Sequence, residues 1–258
     1  MAQENNYTIE NFDPEVLREY DIRGVVGENI NENTAYTIGR TFGYTVKSKL
    51  TSHTIVTGYD GRLTSPSLHK ALCEGLKDSG VKVINIGMGP TPMTYFAHYH
   101  FEADAAVMLT GSHNPSEYNG FKMVFNKHSF FAEDIQSLQK LLDNNVLELA
   151  DGQIIEQDIT KEYIERDLLN ISLNRKLKVA WDPGNGAMGK VTREITEHLI
   201  NSENIIINEE VDGNFPNHHP DPTVDENLKD LVKLIKLENF DLGLAYDGEA
   251  DRVVAIDE

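Results

Sequence analysis

Residues 54–86 read TIVTGYDGRLTSPSLHKALCEGLKDSGVKVINI. The run 54–57 is apolar and β-branched, as a strand requires, and it empties into Gly58-Tyr-Asp-Gly-Arg62, a string of turn formers. Thr64 or Ser65 suits a helix N-cap, and Pro66 is tolerated in a first turn. Leu68, Leu72 and Leu76 then recur every four residues on one helix face, Gly80 closes the segment, and 81–86 is apolar again. Two strands joined through a crossover helix must run parallel, and the crossover is right-handed. This single stretch therefore predicts an α/β fold.

Working outward, the same grammar continues. A short helix is expected over 93–100, a strand over 105–109, a hairpin-like stretch over 121–131 and a helix carrying Ile135, Leu138, Leu142 and Val146. After a polar segment at 148–165 the pattern restarts. A strand over 177–181 ends in Asp182-Pro-Gly-Asn-Gly186, followed by a helix to about residue 200 and a strand over 204–208. A proline-rich loop at 211–222 precedes a helix over 225–239 and a strand over 242–246. The expected architecture is two consecutive three-layer α/β/α domains with mixed, mainly parallel sheets, one over 1–155 and one over 156–258. The apolar run 253–256 should be a strand whose partner is still to come, so the C-terminus is read as a truncation.

Composition narrows the function. The chain has 258 residues, with 23 basic and 42 acidic side chains and a net charge of −19. Phosphate-backbone binding needs clustered cations, so a nucleic-acid partner is not expected. A phosphorylated small molecule is compatible if a few cations converge in one cleft. The polar, acidic N-terminus lacks a signal core and no apolar run is long enough to span a membrane, so a cytoplasmic protein is expected. The lone cysteine, Cys73, sits between apolar helix positions and is read as a small core residue.

Ligands of open parallel sheets collect at the carboxyl ends of strands, and three loops there carry chemistry. Thr110-Gly-Ser-His-Asn-Pro115 places Ser112 after a strand, among residues that let backbone N–H groups converge on an anion. A serine hydroxyl needs a base or polarising cation, and His113 and Lys122 are candidates; the alternative is a plain polar turn. Asp247-Gly-Glu-Ala-Asp-Arg252 offers carboxylates at Asp247, Glu249 and Asp251, able to hold a hard divalent cation, with Arg252 positioned to clamp a phosphate. Its alternatives are a solvated acidic turn or an EF-hand, which lacks its closing glutamate. Arg23, before a glycine, is either a phosphate-binding cation or an exposed turn residue. Together these residues supply the parts of metal-assisted phosphoryl transfer.

The strings YDIRG, TGSHNP with NGFK, VDGNFPNHHPDP and DGEADR occur in this order between about residue 19 and the last residue. They resemble the α-D-phosphohexomutase superfamily, in its bacterial phosphomannomutase/phosphoglucomutase branch. The resemblance implies an isomerase that interconverts hexose 1-phosphate and hexose 6-phosphate through a phosphoserine at Ser112 and a hexose 1,6-bisphosphate intermediate. It implies Mg²⁺ held by Asp247, Glu249, Asp251 and the Ser112 phosphate, with Arg252 balancing that phosphate. It further implies Arg23 and Lys122 beside the attacking sugar hydroxyl, Lys122 as the acid/base partner, and Tyr20 and His113 lining the same site. Gly61-Arg62 matches a family loop to which no chemistry is assigned.

Two departures stand out. The family usually has aspartate where Glu249 stands, and its members have four domains, of which this chain supplies the first two. A poor mutase is therefore expected of the chain alone. The alternative expectation is a non-catalytic fragment or pseudoenzyme that binds phosphosugar or a partner without turnover, and between the two lies slow hydrolysis of the serine phosphate. Oligomeric state and the choice between mannose and glucose are not legible. His218 and His219 in the proline-rich loop, and Trp181 at a strand end, are read as structural.

Overall fold

A computed structural model describes residues 7–257. The first unit is built on a sheet of seven strands, in the order β1 (Ile22–Val25), β5 (Tyr118–Phe125), β4 (Ala105–Leu109), β2 (Thr54–Tyr59), β3 (Lys82–Met88) and β7 (Gln153–Glu156). The two-residue β6 (His128–Ser129) adds to β5. Pairing is parallel for β2 with β3 and β4 and for β3 with β7, and antiparallel around β5. The second unit has the order β11 (Val253–Ile256), β10 (Leu242–Tyr246), β8 (Leu177–Asp182), β9 (Ser202–Ile206), parallel except for the β10–β11 pair.

Strand periodicity separates the layers. Ile55, Val83 and Val107 face α1 (Glu32–Lys49) and α2 (Ser65–Lys77) in one buried cluster. Their neighbours Val56, Ile84 and Ala106 face the other way, into a cluster with Met93 and Ala97 of α3 (Thr91–His100). That second cluster continues without a break into Ile159, Tyr163 and Ile164 around α5 (Thr160–Leu168) and Met188, Val191 and Ile195 around α6 (Gly189–His198). The two units thus share one apolar seam. The second unit keeps a smaller core of its own, where Leu231 and Ile235 of α7 (Lys229–Glu238) pack on Ala180 and Ala245.

Several expected boundaries move, each for a local reason. The strand expected over 204–208 begins at Ser202, and Asn208 has already turned to φ +51°. The helix expected over 225–239 splits into a single 3₁₀ turn, Asp225–Leu228, and α7, which Asn239 ends in the left-handed conformation. α4 (Glu133–Asp143) stops before Val146. Two strands were not foreseen. β7 lies inside the polar segment because Ile154 and Ile155 pair with Val83 and Ile84. β1 holds Arg23, which is 7% exposed and not the surface turn residue of the alternative reading. The run 253–256 is a strand, and β10 is its partner. Among the described residues, no helix is long and apolar enough to cross a membrane.

Candidate active site

The parallel strands β2 and β4 of the first sheet and β10 of the second all deliver their following loops to one place. Ser112, two residues beyond Thr110 after β4, is 2% exposed and sits at φ +54°, a conformation most side chains avoid. Its amide donates to Thr110 Oγ1 at 2.8 Å. Its hydroxyl lies 3.2 Å from His113 Nδ1 and 3.5 Å from Asp247 Oδ2. Burial, followed by the nearby Arg252 charge, pulls the His113 pKa below its ordinary value, so the imidazole is neutral near pH 7.

Asp247, Glu249 and Asp251 bring one carboxylate oxygen each within 4.8 Å of one another. The turn that does this is closed by the amide of Ala250 donating to the Asp247 carbonyl at 3.0 Å, with Ala250 at φ +57°. Asp247 and Glu249 are fully buried. Burial, with repulsion from Glu249 and Asp251, pushes the Asp247 pKa up to about 7. Three hard oxygen donors under mutual repulsion are a fitting donor set for a divalent cation such as Mg²⁺, whose charge would relieve that repulsion.

Lys122 reaches across from β5 and donates to Glu249 Oε1 and Asp251 Oδ2, each at 2.7 Å. Burial works against its charge, but Glu249 and Asp251 outweigh it and raise the pKa above the ordinary lysine range. Arg23 donates to the Gly111 carbonyl at 3.4 Å and pairs with Asp21, while its Nε is buried with no partner among the described residues. Asn114 Nδ2, on the serine loop, is likewise buried and unpartnered. Two unused donors, one on β1 and one on the serine loop, suit an anionic ligand. Tyr20 is 75% exposed on the turn before Arg23. Arg252 is exposed, its backbone amide donates to Asp247 Oδ1 at 3.2 Å, and its charge is felt at His113.

Sequence reasoning gave Arg62 no role, yet it braces the serine loop. Its guanidinium donates to the carbonyls of Ser112, Asn114, Pro115 and Tyr118 and to the Asp60 carboxylate, at 2.6–3.2 Å. Asp60 also accepts from the Gly111 amide at 3.1 Å. A side chain at 111 would put its Cβ 2.3 Å from the guanidinium carbon, which is why glycine stands there. The proline-rich loop closes over this brace, with Phe215 stacked on Arg62 at 5.3 Å. In the same loop His218 Nε2 lies 3.0 Å from the buried Asp182 carboxylate. Trp181 stacks on Tyr246 and Cys73 is buried, both as structural residues.

Comparison with known proteins bears on the family of the chain. The family described as phosphoglucomutase/phosphomannomutase, alpha/beta/alpha domain I, matches residues 14–147, and its domain II matches residues 161–258. The phosphomannomutase/phosphoglucomutase of Pseudomonas aeruginosa is 45% identical over 238 residues, which is 92% of this chain and 51% of that protein. The phosphoglucomutase of Neisseria gonorrhoeae is 41% identical over 241 residues, or 93% and 52% of the two chains. A crystal structure of a phosphoglucomutase/phosphomannomutase family protein from Burkholderia thailandensis has a TM-score of 0.90 at 37% identity, covering 95% of this chain and 55% of the other. The chain spans about half the length of the curated relatives it matches.

Proposed function

This chain belongs to the phosphoglucomutase/phosphomannomutase family, and we propose that it carries the phosphoserine half of a hexose-phosphate mutase site, with Ser112 as the group that accepts and donates phosphoryl. The observation that carries this reading is the meeting of the Ser112 hydroxyl with His113 Nδ1 and Asp247 Oδ2, at the edge of the three-carboxylate cluster.

In the charging step Ser112 Oγ attacks phosphorus of a hexose 1,6-bisphosphate. The new Oγ–P bond forms as the bond from phosphorus to the sugar oxygen breaks. The 3.2 Å separation of Ser112 Oγ and His113 Nδ1 supports His113 as the base that takes the serine proton. The departing sugar oxygen gains a proton, for which the Lys122 ammonium is the available acid. The return step reverses these transfers onto the other sugar hydroxyl. Arg23 and Arg252 offset charge on the phosphoryl oxygens in a loose transition state. Asp247, Glu249 and Asp251 would hold Mg²⁺, which when bound neutralises charge on the serine phosphate. The substrate class is phosphohexose, and Tyr20, exposed three residues before Arg23, is assigned to contact the sugar.

Intact mass tests this directly, after the folded, unphosphorylated chain is incubated with Mg²⁺ and glucose 1,6-bisphosphate. One added phosphoryl group in the wild type and none in Ser112→Ala is expected. No gain in the wild type, or equal gain in Ser112→Ala, overturns the assignment.

A further inference from the structure

Besides Ser112 and Lys122, the first unit meets the acid loop through Thr91, a residue outside every motif quoted above. Thr91 opens α3 of the first unit, and Glu249 is the middle acid of the second unit's loop; both are fully buried. The Thr91 amide donates to the Glu249 carbonyl at 2.9 Å. The Thr91 hydroxyl also donates to Glu249 Oε2. The other carboxylate oxygen, Oε1, accepts from Lys122 at 2.7 Å. Both oxygens of Glu249 are thus gripped from the first unit, one by a neutral hydroxyl and one by a cation.

From this geometry we infer that Thr91 is a positioning residue for the metal site: its hydroxyl fixes the rotation of the Glu249 carboxylate, so that cation affinity in the second unit depends on a side chain of the first. The inference rests on Asp247, Glu249 and Asp251 being the cation ligands. A buried carboxylate with one oxygen tied to Lys122 can still swivel about its last bond, and a second donor at Oε2 removes that freedom. Outer-shell hydrogen bonds of this kind orient a ligand before the ion arrives. The reach depends on the length of glutamate. An aspartate at 249 would withdraw its carboxylate by about 1.5 Å, one carbon–carbon bond, and lose the Thr91 hydroxyl.

The test is Mn²⁺ binding to the whole chain, by calorimetry or by the loss of free-ion paramagnetic signal. Thr91→Val keeps the shape and the amide but removes the hydroxyl, and it should weaken Mn²⁺ binding roughly tenfold. Thr91→Ser restores the hydroxyl and should bind within about twofold of wild type. In a Glu249→Asp background, adding Thr91→Val should change affinity by less than about twofold, because the contact is already gone. A merely structural Thr91 would lower the unfolding midpoint while leaving Mn²⁺ affinity unchanged, and that result overturns the inference. So does a tenfold loss that persists in the Glu249→Asp background, or a serine variant that does not recover. If the wild type binds no Mn²⁺, the metal reading itself falls and this inference with it.

Discussion

The Arg62 guanidinium donates to the Ser112 carbonyl at 2.8 Å, and through it a residue on the loop after β2 holds the backbone of a loop after β4. Four carbonyls converge on that one side chain, with Asp60 as its only carboxylate partner among the described residues. Arg62 and Asp60 are each 2% exposed, so losing the guanidinium leaves a buried carboxylate without its cation. Arg62→Met should therefore lower unfolding stability by about 3–5 kcal/mol and abolish charging of Ser112. Urea unfolding and intact mass check this, and a variant within about 1 kcal/mol of wild type would show that the brace is dispensable.

Ser112 holds a left-handed backbone conformation that glycine adopts at no steric cost. Ser112→Gly and Ser112→Ala both lose the nucleophile but differ in strain. The glycine variant should be the more stable by about 0.5–1 kcal/mol, after the larger chain entropy that glycine gives up on folding. Equal thermal midpoints would mean that the loop relaxes out of the strained conformation.

Asp247 gives a prediction of opposite signs. Its carboxylate is buried beside Glu249 and Asp251, and its pKa is pushed up to about 7. Without metal, Asp247→Asn should stabilise the chain at neutral pH by on the order of 1–2 kcal/mol, because a repelled charge is removed. With Mg²⁺ at about 100 times its Kd the wild type should gain about 2.7 kcal/mol, and the variant should gain almost nothing. Thermal melts with Mg²⁺ and with a chelator separate the two effects. A variant that is less stable than wild type in chelator contradicts the repulsion.

His218 sets a pH dependence. The hydrogen bond to the Asp182 carboxylate outweighs the cost of burial and raises its pKa above the ordinary 6.5. A raised folded pKa means that the pair's stabilisation is complete below 6.5 and is lost as pH rises through the folded value. His218→Gln should therefore cost on the order of 1–2 kcal/mol at mildly acidic pH, and the gap should close at alkaline pH. A gap that stays constant with pH would assign the cost to packing.

The α/β character was legible because residues 54–86 and 242–246 carry strong local periodicity, and each forms the elements it spells. The serine and acid loops were legible because their chemistry lies in contiguous strings. Arg62, Thr91 and β7 were not, for a common physical reason. Arg62 and Thr91 act through backbone carbonyls and a partner 158 positions away, which leaves no local pattern. Gln153–Glu156 is a strand only because Val83 and Ile84 are there to pair with it. The ion pairs of Lys122 to Glu249 and Asp251 also join residues more than 120 positions apart, which no local pattern foretells.

The 135-position separation of Ser112 and Asp247, whose oxygens nevertheless lie 3.5 Å apart, has a consequence for how the site comes into being. Chains are made at about 5–20 residues per second, so on the order of ten seconds pass on the ribosome between the serine and the first acid of the metal loop. During that interval the first unit has most of its sheet, while the part of the Val56 and Ile84 face that α3 leaves bare waits for α5 and α6. A nascent chain arrested before Thr160 should leave open the part of that face that α3 does not cover, accessible to chaperones. The serine proposed to accept phosphoryl is thus synthesised well before the acids proposed to govern it, and the pair can meet only after the second unit has folded against the first.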